Sequence, residues 1–337
     1  MEMQQLKKRM EDNDFVTYCY SKYLNYHPRI LDASMVEDLA RECHVSKHEA
    51  YLSLFAAVLG WETDENPQHR ALERDYLIPG IRPLDPALYQ NDPYCLAVAF
   101  PAQKLGKWEM RTSSYTPYEP FVCNHPHLTQ DLREIPQIGY FTEEFCFPAI
   151  LEDGIEWMTV TPNEIETMRE PIANSRGNVL TLGLGLGYFA FSAAQKPEVT
   201  SVTVVERDAS VIELFSTHLL PQFPNREKIR VVEADAFAFL EELDPTADAT
   251  LFADLWHDPS DGLALYLRLK KLEKRRGLQN VDYWIEPSLL SSLRRMVFDK
   301  LNDPSSPMRL AGVDPYTLLS NDFLRRLAPD VKRLEKG

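Results

Sequence analysis

Cysteine is sparse in this chain: Cys19, Cys43, Cys95, Cys123 and Cys146 make an odd five, with no C-x-x-C pair among them. That pattern argues against a disulfide framework and sets the expectation of a reducing, cytoplasmic environment. Basic residues are short as well. Lys and Arg total 36 against 51 Asp and Glu, a formal net charge of -15. A surface that acidic repels phosphate backbones, so nucleic acid is not the expected partner and a cationic ligand is favoured. Long apolar runs are missing: no stretch reaches the roughly 18 to 20 apolar residues of a membrane span. Residues 1–14 are charged where a secretory signal has its apolar core. No membrane partner is expected, and there is neither an internal repeat nor a low-complexity tract. What the chain does have is 337 residues, 44 % of them hydrophobic, enough for a buried core spread over about two domains or more.

Four segments follow from composition and periodicity. Residues 1–74 read as a helical N-terminal domain. There Ser46-Lys47-His48-Glu49 forms a capping box ahead of the apolar run 50–59. The tight turn at His44-Val45 between two short helices has the outline of a helix-turn-helix. Its second helix opens with a single Lys, short of the basic footprint that reading DNA needs. Packing is the expected role, with a homo-oligomer through these helices as the partner they could serve. Residues 75–160 read differently: twelve of the 24 prolines fall between Pro79 and Pro171, which excludes long helices there. Short strands and loops are expected, including residues 107–111 and 156–160. The aromatic group Tyr140, Phe141, Phe145, Phe147 and Trp157 reads as core or as a pocket lid. In the same segment Cys123, His125 and His127 offer metal-ligand types, but no further ligands follow at a zinc spacing, and no metal is expected.

From Thr161 the pattern becomes regular. Thr161-Pro162-Asn163-Glu164 combines a capping box with Pro at the first helical position, so a helix should run to about Ser175. Apolar strands then alternate with helices at 178–182, 202–206, 229–233, 249–254 and 281–286. That alternation specifies an α/β fold with a doubly wound, mostly parallel sheet over 161–286. A helix from about Gly262 to Gly277 ends in Lys274, Arg275 and Arg276, which suit the negative end of its dipole. Residues 287–337 read as a helical C-terminal extension.

The chemistry lies at the strand ends. Thr181-Leu182-Gly183-Leu184-Gly185-Leu186-Gly187 takes a buried strand through a glycine-rich turn into a helix, where backbone can approach a ligand closely. Glu206 closes the second strand, Asp235-Ala236 follow the third, and Asp254 ends the fourth. In such sheets ligands bind at the carboxyl ends of the strands. Glu206 can grip both hydroxyls of a ribose, Asp235 can accept from an adenine amine, and the Ala236 amide can serve a ring nitrogen. Asp254 faces the reactive end. Position 188 is Tyr where a dinucleotide fingerprint wants Gly or Ala, which sets NAD aside.

These ordered motifs resemble the class I, Rossmann-like methyltransferases that use S-adenosylmethionine, with a texture similar to the spermidine synthase branch. The resemblance covers about 161–286. It implies Thr181, Gly183, Gly185, Gly187, Glu206, Asp235, Ala236 and Asp254 as the S-adenosylmethionine site, although Thr181 stands where many members carry an acid. The antiparallel strands that usually close such a sheet have no clear counterpart after Glu286, residues 310–313 being too short, which leaves room for a truncated sheet. Methyl transfer to a small acceptor by direct displacement is the first expectation, with cationic amines the first class of acceptor to search. Spermidine-synthase-like aminopropyl transfer and non-catalytic S-adenosylmethionine binding are the alternatives. The acid that spermidine synthases place between the loop glycines is Leu186 here. Leu255-Trp256-His257-Asp258-Pro259 follows Asp254, so Asp254 and His257 are the expected catalytic pair, His because it titrates near neutral pH. Their competing readings are a helix cap for Asp254 and a surface histidine for His257.

Overall fold

The computed structural model describes residues 3–244 and 249–302. Helices Met3–Tyr26, Ala33–Cys43, Lys47–Val58 and Pro67–Leu72 build the N-terminal region. Asp32 caps the second by accepting from Met35 N–H, and the Ser46–Glu49 box opens the third. His44 turns the chain between them at φ 56°. Val16, Tyr20, Tyr51, Phe55 and Trp61 form a core that continues into Ile135, Ile138 and Tyr140 of the next region, so the helices are packed onto a sheet. Among the described residues no helix is long and apolar enough to cross a membrane.

The proline-rich segment folds as short strands: β1 (Ile81–Pro83), β2 (Gln103–Leu105), β3 (Trp108–Tyr115), β4 (Phe121–Leu128), β5 (Glu134–Tyr140), β6 (Phe145–Glu152) and β7 (Ile155–Thr159). They form two small sheets, ordered β1-β5-β4 and β2-β3-β6-β7. Tyr140, Phe141, Phe145 and Phe147 are all core, each at most 3 % exposed, whereas Trp157 stays 38 % exposed. The aromatic group thus divides: four rings pack, and the fifth is left on the surface of the β6–β7 hairpin.

Residues 177–283 supply β8 (Gly177–Leu182), β9 (Val199–Glu206), β10 (Ile229–Glu233), β11 (Ala249–Ala253) and β12 (Val281–Tyr283). Among the described residues they make one all-parallel sheet in the order β10-β9-β8-β11-β12. Val179, Leu180, Leu182, Val202, Val204, Val205, Leu251 and Phe252 are all at most 5 % exposed. Strands buried this completely need near-continuous apolar sequence, which is why they stand out as runs rather than alternations. The chain steps outward from β8 to β9 and β10, then returns to the other side of β8 for β11 and β12. Leu182 pairs with both Val205 and Ala253, so the residues just beyond, Gly183, Glu206 and Asp254, emerge together where the strand order reverses.

Two expectations need correction. The last strand stops at Tyr283 and does not reach Glu286: Ile285 turns at φ 47°, and a new helix, Glu286–Asn302, begins with Pro287 in its first turn. The expected start of the helix at Gly262 is also late. Asp258 caps it, accepting from Ser260 N–H, and it runs Pro259–Arg276 before ending at Gly277. Residues 310–313 and the remainder of the C-terminal extension lie outside the described residues.

Candidate functional site

Glycines shape the turn after β8. A Cβ on Gly183 would lie 1.9 Å from the carbonyl oxygen of Asp254, so only a bare Cα lets the β8 and β11 ends close up. In front of Gly185 there is space, with only the Met158 sulfur within 4 Å, at 3.7 Å. Gly187 serves packing: a Cβ there would meet the Phe215 ring at 2.4 Å, and the residue lines neither of the cavities described next. Of the three loop glycines, Gly183 and Gly185 line the cavities and Gly187 packs on Phe215.

Two cavities open on this turn and share Trp157, Met158, Gly183, Leu184, Gly185, Asp254 and Trp256 as a common wall. The outer one has a volume of about 440 Å³ and is lined by Glu206, Asp235 and Ala236. That is within the size range of small-ligand sites, roughly 300–1,000 Å³. Glu206 is held in place by backbone. It accepts from Arg207 N–H at 2.7 Å, Asp208 N–H at 2.8 Å and Leu184 N–H at 3.2 Å. Two carboxylate oxygens offer about four acceptor sites, so with three taken one remains, on Oε2, for a ligand hydroxyl. Asp235 caps the Ala236–Glu242 helix through Ala238 N–H, at 2.9 Å, while lining the same cavity.

The inner cavity, about 170 Å³, brings together Glu156, Glu164, Thr181, Asp254, Trp256 and His257 from four separate stretches of chain. Its charges are one-sided: three carboxylates line it, and no Lys or Arg does. Asp254 sits at the junction of the cavities. Burial, then the nearby charges of Glu164 and Glu206, push its carboxyl up to about 8. It caps no helix, since Asp258 does that work, which removes its competing reading. Glu164 reaches back from its helix to accept from Thr161 N–H at 3.0 Å and Thr159 O–H at 3.0 Å, with a further bond from Thr161 O–H. Burial raises its carboxyl too, against those hydrogen bonds.

Thr181 is buried and lines the inner cavity; its hydroxyl lies 3.4 Å from the Gly183 carbonyl. His257 is at the mouth. Its ring stacks on Trp157 with centroids 5.5 Å apart, and its Nδ1 lies 3.7 Å from the Asp258 carboxylate. Trp256 lines both cavities, is 5 % exposed, and its Nε1–H has no acceptor within the protein. Gly262 makes room for it, because a Cβ there would come within 2.7 Å of the indole. Cys123, His125 and His127 lie on β4, and among the described residues no three metal-ligating side chains cluster.

Sequence reasoning missed Glu156 and Glu164 as site residues and placed Trp157 only in an aromatic group that reads as core or as a pocket lid. Glu164 was legible as a cap and gave no sign of its second face. The other two come from the β6–β7 hairpin, which only the tertiary fold sets beside Asp254.

No protein-family model matches the chain. A curated polyamine aminopropyltransferase of Leptospira interrogans serogroup Icterohaemorrhagiae serovar copenhageni (strain Fiocruz L1-130) is 36% identical over 88 residues, 25% of this chain and 17% of that protein. Among solved structures, spermidine synthase from Thermotoga maritima aligns at 16% identity over 46% of this chain and 59% of its own, with a TM-score of 0.31. Spermidine synthase in complex with the transition state analogue AdoDATO aligns at 15% identity over the same shares, with a TM-score of 0.30. The chain thus covers less than two thirds of each of these proteins.

Proposed function

We propose that this chain is a group-transfer enzyme of the aminopropyltransferase kind, moving an aminopropyl group from decarboxylated S-adenosylmethionine to a small cationic amine. The observation that carries the reading is the charge of the inner cavity: Glu156, Glu164 and Asp254 line it without a Lys or Arg. S-adenosylmethionine itself has a carboxylate beside the ammonium on the arm that would enter that cavity, and there the carboxylate would face three acids with no Lys or Arg to pair it. The decarboxylated donor keeps the ammonium alone. Methyl transfer, the first expectation from the sequence, finds no support in the comparisons. The local likeness to a polyamine aminopropyltransferase favours the alternative.

In this reading residues 161–286 are the nucleoside-binding unit. Glu206 takes a ribose hydroxyl, Asp235 and Ala236 take the base, and Gly183 and Gly185 let the loop backbone approach the sulfonium end. The reaction is a displacement. The amine nitrogen forms a bond to the carbon next to the sulfonium, the carbon–sulfur bond breaks, and its electron pair stays on sulfur as a neutral thioether. The amine must first lose a proton. A carboxyl raised to about 8 is matched to take it near neutral pH. Entry of two cationic substrates favours the charged form of Asp254, so the proton it holds in the empty site leaves as they bind. Trp157 and Trp256 wall the amine, with His257 closing the mouth. Most of the acceleration comes from alignment and exclusion of water, as expected for a displacement with no covalent enzyme intermediate.

Calorimetric titration tests the assignment. Micromolar binding of decarboxylated S-adenosylmethionine with at least tenfold weaker binding of S-adenosylmethionine is the expected result. Equal affinity, or preference for the carboxylated donor, returns the reading to methyl transfer.

A further inference from the structure

The acid that Leu186 cannot supply has to come from elsewhere if the site holds an ammonium. We propose that Glu164, the helix-capping carboxylate, is that group: it contacts the cationic arm of the donor and sets the preference for the decarboxylated nucleoside, an inference that rests on the aminopropyl reading above. Leu186 is 3 % exposed, and its carbonyl accepts from Tyr94 O–H at 2.7 Å, so the loop itself is fixed and offers only an apolar side chain to the inner cavity. Glu164 faces the same cavity from the Pro162–Asn174 helix. Its hydrogen-bond partners are neutral: two threonine hydroxyls and one backbone N–H. An acid in a desolvated place without a cationic partner is costly to keep charged. A bound ammonium removes that cost. The orphan Nε1–H of Trp256, on the wall shared by the two cavities, independently marks a place for a ligand, one whose acceptor atom the nucleoside supplies and the ammonium does not.

The capping motif makes the test clean, because Gln at the third helical position reaches back to the N-cap as well as Glu does. Glu164→Gln keeps the cap and removes the charge; Glu164→Asp keeps the charge and shortens the cap. Isothermal titration of the full chain uses decarboxylated S-adenosylmethionine and its neutral counterpart 5′-methylthioadenosine, which shares the nucleoside and lacks the amine. The charge role predicts that Glu164→Gln loses about tenfold or more in affinity for the cationic nucleoside and stays within twofold for the neutral one. Glu164→Asp should retain most of the preference. A capping role alone predicts the reverse order, with Gln intact and Asp impaired for both nucleosides alike, and that result overturns the proposal. So does an unchanged ratio in Glu164→Gln. Should Glu164→Gln not fold, Glu164→Asp carries the test: loss of the preference there overturns it. If the native chain binds neither nucleoside, the proposed function itself falls and takes this inference with it.

Discussion

Asp254 is a single carboxyl on which burial and two neighbouring acids act together. Two predictions belong to it. The base role requires the ionised form, so kcat/KM should rise with pH through about 8. In Asp254→Asn that limb should vanish and the rate fall by roughly 10²- to 10⁴-fold, as steady-state kinetics across pH would register. The second concerns stability. A folded-state value of about 8 lies above the ordinary carboxylate range near 4. Between those two values the folded chain holds a proton that the unfolded chain has released. The contribution of this group therefore falls as pH rises through that window. Thermal melts of Asp254→Asn should show a gain over the native chain that grows from pH 4 to pH 8 and then levels. A constant difference would place the carboxyl in a different environment. Glu206 is simpler: Glu206→Gln should weaken nucleoside binding by at least about 1 kcal/mol, because a charged acceptor is replaced by a neutral one. Unchanged affinity in titration would remove the ribose assignment.

At the scale of elements, the β8 turn and the β6–β7 hairpin do different work. The turn is fixed by close approach, and Gly187 shows how little room it leaves. Gly187→Ala adds a methyl 2.4 Å from the Phe215 ring at φ 76°. Chemical denaturation should find a loss of about 1–3 kcal/mol, with nucleoside affinity kept in the fraction that folds. The hairpin carries Glu156, Trp157 and Met158 to the cavity wall, and Trp157 stays partly exposed beside His257. Trp157→Ala should raise KM for the amine several-fold while donor affinity stays within twofold. An equal loss for both substrates would make the hairpin a general support rather than an acceptor wall.

These two elements also mark what sequence reading reaches. The ends of β8 to β11 were legible to within a few residues because strands buried on both faces must be apolar, and because Gly, Glu and Asp punctuate their ends. Glu206, Asp235 and Asp254 were legible as site residues for the same reason. Glu164 was not, and Trp157 stood only within an aromatic group that reads as core or as a pocket lid. A capping box explains Glu164 locally and so hides its second face, and nothing in residues 145–159 announces that their hairpin folds against a loop about 100 residues further on. The end of β12 was misplaced because a positive φ at Ile285 leaves no signature in a non-glycine residue.

Across the whole molecule, an excess of acid on the surface and three acids in one cavity point to the same kind of ligand. A net charge of -15 favours the approach of cations at long range, and in the proposed function the inner cavity, without Lys or Arg, holds one at short range. In the proposed function the large sheet supplies the nucleoside floor at its strand reversal, while the four-stranded antiparallel sheet supplies the acceptor wall through its β6–β7 hairpin. Group transfer would depend on both being present. The central claim concerns which carbon–sulfur bond breaks, and product identity reads that directly. Incubating the full chain with decarboxylated S-adenosylmethionine and a primary diamine should release 5′-methylthioadenosine, detected by chromatography with mass spectrometry. The same amine with S-adenosylmethionine should give no S-adenosylhomocysteine. Formation of S-adenosylhomocysteine, without 5′-methylthioadenosine from the decarboxylated donor, would contradict the account and identify the chain as a methyltransferase.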